Sequence, residues 1–434
     1  MKKLIALLLA VMAVLSLFAA CGGDTATETQ PAATEKDFSE FEGIVADPKT
    51  WYDTLMAIPV ATPDMTEDEL RQLCVDAFKA NASFTWTPTK EISYTFTLLE
   101  KSSDIVLPTG IAYAGMFYCN NVAKGNVWKA LQYYDVETGV MDIEAMNGSE
   151  LAVLSSACAK SVEWALARVS NSHGLASMDN YSQYSGNTVP VGPYTYEVGK
   201  YAFSNGPGTK DIVDNNGQEI MCQSYAAMKK ADVVYSSSSF HVMMASADPV
   251  VVTLSDGRIN ATESYILVCE QDAVGSKTTN KDSVQENGKT LRQLGSVDNK
   301  YTFKDLMDKG YVPLTVKEFT GEEPVEVGEA WLGNPNRKLE NGVDMDVSTL
   351  FGNSLCANYA VCTLNIQIKN PAGEVLLDRN TGIQTQPSSY TVPLAKSMVP
   401  EEAKALADGQ NTIHLVVRLA NGELLEAFNT VLKF

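Results

Sequence analysis

Three short strand patterns follow one another between residues 232 and 270: 232–235 (DVVY), 240–245 (FHVMMA) and 264–270 (SYILVCE). Each is too short to be a helix and rich in β-branched or aromatic residues. The clearest helix, 155–169 (SSACAKSVEWALARV), comes before them and stops at Asn171-Ser172-His173-Gly174. One helix followed by sequential short strands predicts an α+β domain. Around it the spacing predicts further parts. Thr66 to Glu69 reads as a capping box, with Leu70, Leu73, Ala77 and Phe78 at helical spacing after it. Residues 82–99 alternate like strands through Phe84, Trp86, Tyr94 and Phe96. The stretch 41–100 is therefore a small α+β lead-in, and 101–322 the main domain. A short helix is expected at 219–229 and another from Thr302 to Gly310. Gly, Ser, Asn and Pro fill 175–218 and Gly, Ser, Thr, Asn and Lys fill 275–300, which predicts two long loops.

From about residue 323 the texture becomes all-β. Strand patterns at 359–368, 374–378, 389–395, 412–419 and 424–434 alternate with turns at Asn370-Pro371-Ala372-Gly373 and Asn421-Gly422. Residues 323–434 read as an immunoglobulin-like β-sandwich, joined near Glu322-Glu323-Pro324.

The N-terminus reads as an export signal. Lys2 and Lys3 precede an apolar run at 4–18, then Ala19, Ala20 and Cys21. Small residues before a Cys, followed by Gly22 and Gly23, resemble a bacterial lipoprotein lipobox, which implies cleavage after residue 20 and lipidation of Cys21. Residues 21–40 then form a flexible tether, rich in Thr, Ala, Gly and acid. The expected location is extracytoplasmic and lipid-anchored, touching the membrane only through the lipid. The formal net charge of −20 argues against nucleic-acid partners. Eight Cys are present; with Cys21 acylated seven remain, so at least one stays unpaired within the chain. Cys356 and Cys362 on one extended strand would be roughly 20 Å apart, too far for a disulfide unless a turn intervenes.

Only three His exist, so His-dependent chemistry has few choices. His173 reads as a helix-end residue. His414 shares parity with Val416 and Arg418, facing away from Ile413, Leu415, Val417 and Leu419. His241 lies on a strand face with Met243 and Ala245. Cys158 falls in the first helical turn if Ser155 is the cap, where the helix dipole favours a thiolate. On the stripe Cys158, Val162, Ala165 and Val169 it could equally be a packed core Cys. The order Cys on a helix start, His on a strand, acid on the next strand is that of a papain-like thiol hydrolase. Glu270 is the candidate orienting acid, with Gln271, Asp272 and Asp248 as alternatives.

The segment 110–271 resembles the NlpC-type cell-wall cysteine peptidases. Tyr113-Ala114-Gly115-Met116-Phe117-Tyr118 is similar to that family's Tyr-x-Gly-x-x-Tyr motif. Ser156 to Val162 with Trp164 and Ala165 resembles its nucleophile helix. Lys230 to Tyr235 with Phe240-His241-Val242 resembles its Gly-Asp strand and catalytic His strand. Ala231 stands where the family has Gly, Met243 replaces the Gly after His-Val, and Ala157-Cys158-Ala159-Lys160 replaces Asp-Cys-Ser-Gly. The resemblance implies hydrolysis of amide bonds in peptidoglycan stem peptides. Cys158 would be the nucleophile, His241 the general base, Glu270 the orienter and Tyr118 a substrate or oxyanion contact beside the Cys158 N–H. No cofactor and no metal is implied. The alternatives are a lipoprotein that binds a wall peptide or glycan without cleaving it, and a thiol amidase or transferase on another amide.

Other chemistries fit poorly. Gly192 to Lys200 followed by Tyr201 does not match a P-loop, and Asp214 to Gly217 does not match an EF-hand. Scattered His and no Cys-x-x-Cys argue against zinc. Asp344 and Asp346 read as a solvated strand edge or turn, with calcium as the lesser reading.

Overall fold

Thr66 starts the structure's first long helix, Glu67–Ala82, by the expected reciprocal bonds. Its hydroxyl accepts from Glu69 N–H at 3.3 Å, and Glu69 Oε2 accepts from Thr66 N–H at 2.8 Å. Leu70, Leu73, Ala77 and Phe78 face the core. The structure, a computed structural model, describes residues 36–98, 101–119, 125–172, 187–196, 208–272, 281–343, 345–380, 389–394 and 410–433. The stretch read as an export signal, Cys21, most of the stretch read as a tether, His173 and Asp344 lie outside the described residues. Among those described, no helix is long and apolar enough to cross a membrane.

The chain is mixed α+β with more strand than helix, and no barrel is formed by the described sheets. The sheet that matters most has six antiparallel strands. Their order is Ser296–Thr302, Tyr265–Glu270, His241–Ala245, Val233–Ser236, Val312–Val316 and Thr188–Pro190. The helix Cys158–Leu166 packs on the His241–Ala245 and Tyr265–Glu270 strands, and Glu67–Ala82 packs on that helix. Val162, Ala165, Met243, Ile266 and Val268 lie in this core at 0% exposure. Each of these Val, Ile and Met side chains is worth about 1.5–3 kcal/mol of burial.

Three expectations need correction. The helix read as 155–169 is shorter, Cys158–Leu166, and a separate helix Glu150–Leu154 precedes it, because Ser155–Ser156 is drawn into a parallel strand pair with Phe117–Tyr118. The loop expected up to 218 ends sooner. A helix Thr209–Ala226 begins there, kinked at Gly217, where φ is +75°. The loop expected at 275–300 contains strands Lys281–Val284, Thr290–Gln293 and Ser296–Thr302. Their polar composition hid them, and pairing with formed strands decides what propensity leaves open.

After Glu322 the chain forms a further sheet around the 16-residue strand Ser354–Lys369. Thr412–Leu419 alternates as expected, with Ile413, Leu415, Val417 and Leu419 buried. His414 is on the other face, where its Nδ1 lies 2.7 Å from Glu426. The Asn421-Gly422 turn closes the hairpin, with Gly422 at φ +94°. Asp346 caps the helix Val347–Phe351, accepting from Thr349 N–H at 2.9 Å. Cys356 and Cys362 share the long strand and are free thiols. This sheet has its own core around Leu364, Ile366 and Phe428, yet Ala360, Cys362 and Ala420 join the core of Trp86, Tyr113 and Trp128. Residues Phe41–Phe434 form one compact unit.

Candidate active site

Cys158 is the first residue of its helix. Ala157, extended at φ −142° and ψ 173°, is the cap, so the cap is not Ser155. The first-turn N–H groups of a helix have no partner within it and carry the positive end of its dipole. The strand just before fixes what lies beside the sulfur. Tyr118 pairs with Ser156 in register, and Cys119 N–H donates to Ser156 O at 2.9 Å. Tyr118 thus sits beside the turn into the helix, and its hydroxyl is hydrogen-bonded to Cys158. Burial, and next the neighbouring Cys158, raise the Tyr118 phenol, which stays a donor at neutral pH.

His241 comes from the sheet under the helix. It opens its strand after the Ser-rich turn, and the preceding Phe240 is left-handed at φ +49°. The ring is hydrogen-bonded to Cys158, while Nε2 lies 2.9 Å from Glu270 Oε2. That leaves Nδ1 as the nitrogen for the sulfur. Burial alone would lower the His241 pKa. The bonds and charges of Cys158 and Glu270 outweigh it and push the pKa up to about 10.

Glu270 is fully buried. It also accepts from Asn299 Nδ2 at 2.6 Å and from Tyr301 Oη at 3.1 and 3.2 Å. Burial raises the carboxyl, but the His241 bond and charge, with Asn299 and Tyr301, bring it below the usual range. The sheet register explains the grouping. Met244 pairs with Cys269, so His241, Met243 and Ala245 share a face with Ile266, Val268 and Glu270. Tyr301 pairs with Ile266 and Asn299 with Val268, which places both on that face.

The structure therefore brings together Cys158, His241, Glu270 and Tyr118. The alternative third groups differ in place. Gln271 donates to Met116 O at 3.1 Å and Leu294 O at 2.9 Å, clipping two loops. Asp248 accepts from Lys230 N–H at 2.9 Å on the surface. Asp272 is half-buried near Tyr118, and its charge acts on that phenol. Asn299 and Tyr301 escaped the sequence reading, since Asn299 falls in the stretch read as loop and Tyr301 directly follows it. The signal that could have found them is the alternation Val297, Asn299, Tyr301. Among the described residues no group of three or more His, Cys, Asp or Glu is placed to hold a metal ion. No protein-family model matches the chain, and neither a curated protein nor a solved structure is found to match it.

Proposed function

We propose that the protein is a lipid-anchored, extracytoplasmic cysteine hydrolase of papain-like, NlpC-type arrangement, with an immunoglobulin-like C-terminal part. Its substrate would be amide bonds in peptidoglycan stem peptides. The observation that carries the reading is the relay Cys158–His241–Glu270, with the sulfur at a helix start and the carboxylate fully buried.

The chemistry follows from that geometry. The thiolate, paired with the His241 imidazolium, adds to the amide carbonyl carbon. The oxyanion that forms is met by the Cys158 N–H at the helix start and by the Tyr118 hydroxyl. The C–N bond breaks, and His241 gives its proton to the leaving amine. Neutral His241 then takes a proton from water, whose oxygen attacks the thioester and releases the acid. Glu270 keeps the ring oriented and its charged form favoured throughout.

One observation favours a second reading, a cleft that binds a wall peptide without cleaving it: Cys158 is only 5% exposed. Digestion of purified peptidoglycan, beside Cys158→Ala, separates the two. New muropeptides by mass spectrometry from the parent alone support the hydrolase and identify the bond. Release by both proteins would remove Cys158 from the nucleophile role. Release by neither, from several wall types, would favour the binding cleft.

A further inference from the structure

Where the Cys158–Leu166 helix meets the C-terminal sheet, one arginine is buried and a second half-buried. Arg168 is 1% exposed, with its guanidinium 5.0 Å from the Trp164 ring and 5.4 Å from the Trp128 ring. Arg418 reaches Trp128 as well, at 4.4 Å. Among the described residues neither Arg has an acidic partner. Arg168 Nη1 donates to Asn421 O at 3.2 Å and Arg418 Nη1 to Gly422 O at 2.9 Å. The close fit is enforced at Gly422, where a Cβ would fall 1.8 Å from Arg168 Nη1. In a chain of net charge −20 this is a local excess of positive charge. Stacking on indoles offsets only part of the cost of burying the Arg168 charge.

Beside Arg418 a cavity of about 320 Å³ opens, walled in part by Tyr52, Trp128, Gln132, Asn365 and Asn380. Its polar lining is not fully used. Trp128 Nε1 and Asn365 Oδ1 are buried without a hydrogen-bond partner, as are Arg168 Nε and Nη2 behind Trp128. Buried polar atoms are paired in the large majority of cases. Water could satisfy the indole N–H and the amide oxygen, but it would not neutralise the guanidinium charge.

We infer that this cavity binds an anionic saccharide. Asn365 Nδ2 is held by Asp378 and Asn380, so Asn365 Oδ1 offers an acceptor and Asn380 Nδ2 a donor to sugar hydroxyls. Arg418 presents the planar fork that matches a carboxylate or phosphate. Tyr52, half-buried on the cavity wall, supplies a flat apolar surface for the C–H face of a ring. The volume is at the small end for ligand sites and suits a single sugar unit. The inference does not depend on Cys158 being a nucleophile.

The test is isothermal titration and saturation-transfer NMR with glucuronate, glucose 6-phosphate and glucose. The purified protein is compared with Arg418→Gln and Asn380→Ala. At least one anion should bind about tenfold more tightly than glucose, and the preferred one tells carboxylate from phosphate. Arg418→Gln should abolish that advantage. Asn380→Ala, outside the indole stack, should weaken anion binding about threefold at an unchanged melting temperature. If Arg418→Gln does not fold, Asn380→Ala decides. Equal affinity for glucose and the anions, no binding of any probe, or anion binding untouched in the folded variants would overturn the inference.

Discussion

His241 is held between two groups that both favour its charged form, and its titration reports on them. Its folded pKa, pushed up to about 10, lies above the ordinary value of 6.5. The stability this contributes is full below 6.5 and is lost as pH rises through about 10. Glu270 runs the other way: its carboxyl is lowered, so its contribution is present above the usual carboxylate range and is lost on acidification. Glu270→Gln removes one anion while keeping shape, and should drop the His241 midpoint by about one to three units. Imidazole proton shifts followed against pH measure it, and an unmoved midpoint would mean that Glu270 does not hold the ring. Phe240 presents a different residue-scale question. It is 63% exposed yet left-handed, at φ +49°. A bulky side chain there costs about 1–2 kcal/mol, of which glycine returns part to the unfolded chain. Phe240→Gly should therefore stabilise the fold by up to about 1 kcal/mol in urea melts. Destabilisation instead would show that the ring makes contacts worth more than the strain.

At the scale of elements, the motif read as Tyr-x-Gly-x-x-Tyr has a physical reason for its glycine. Gly115 takes φ +87°, and a Cβ there would sit 2.9 Å from Ala82 O. Its own N–H donates to Phe84 O at 2.8 Å, and its carbonyl accepts from Trp86 Nε1 at 3.0 Å. The turn so fixed directs Phe117–Tyr118 alongside Ser155–Ser156 and so places Tyr118 beside Cys158. Gly115→Ala should cost about 1–3 kcal/mol in chemical denaturation. A loss below about 0.5 kcal/mol would mean that the turn relaxes freely. Such local requirements are why Cys158, His241, Glu270 and Tyr118 could be singled out from the order of motifs. Ala231, where the motif it resembles has glycine, is likewise left-handed at φ +66°. Asn299 and Tyr301 were not legible for the opposite reason. Only Val297, Tyr301 and Thr302 in Ser296–Thr302 favour a strand, and the strand exists because Tyr265–Glu270 offers it an edge. The helix Thr209–Ala226 was half read because Gly217 interrupts its pattern, and the residues before that kink resemble turn.

For the whole molecule, one ion pair ties the lead-in helix to the sheet that carries the site. Arg71 is 5% exposed on Glu67–Ala82, and its Nη1 donates to Asp232 Oδ1 at 2.7 Å and to Lys230 O at 2.8 Å. Its Nε reaches Glu67 at 2.8 Å, and its guanidinium lies 4.4 Å above the Phe319 ring. Asp232, 1% exposed, directly precedes the Val233–Ser236 strand, two strands from Glu270. Burial raises its carboxyl, with the Arg71 charge acting against that rise. Arg71→Ala would leave an unpaired buried carboxylate, and should cost about 3–5 kcal/mol near neutral pH. The sign with pH then follows. Without Arg71 the Asp232 pKa in the folded state rises further above its unfolded value, so acidification lets the folded chain take up the proton first. The gap between Arg71→Ala and the parent should narrow as the pH is lowered from 7 towards 5. Paired replacement by Arg71→Met and Asp232→Leu should cost much less than Arg71→Ala alone, because no charge is stranded. Urea melts across that pH range decide it. A gap that stays constant, together with a double variant no better than the single one, would locate the loss in the packing of Arg71 on Phe319 and not in the stranded carboxylate.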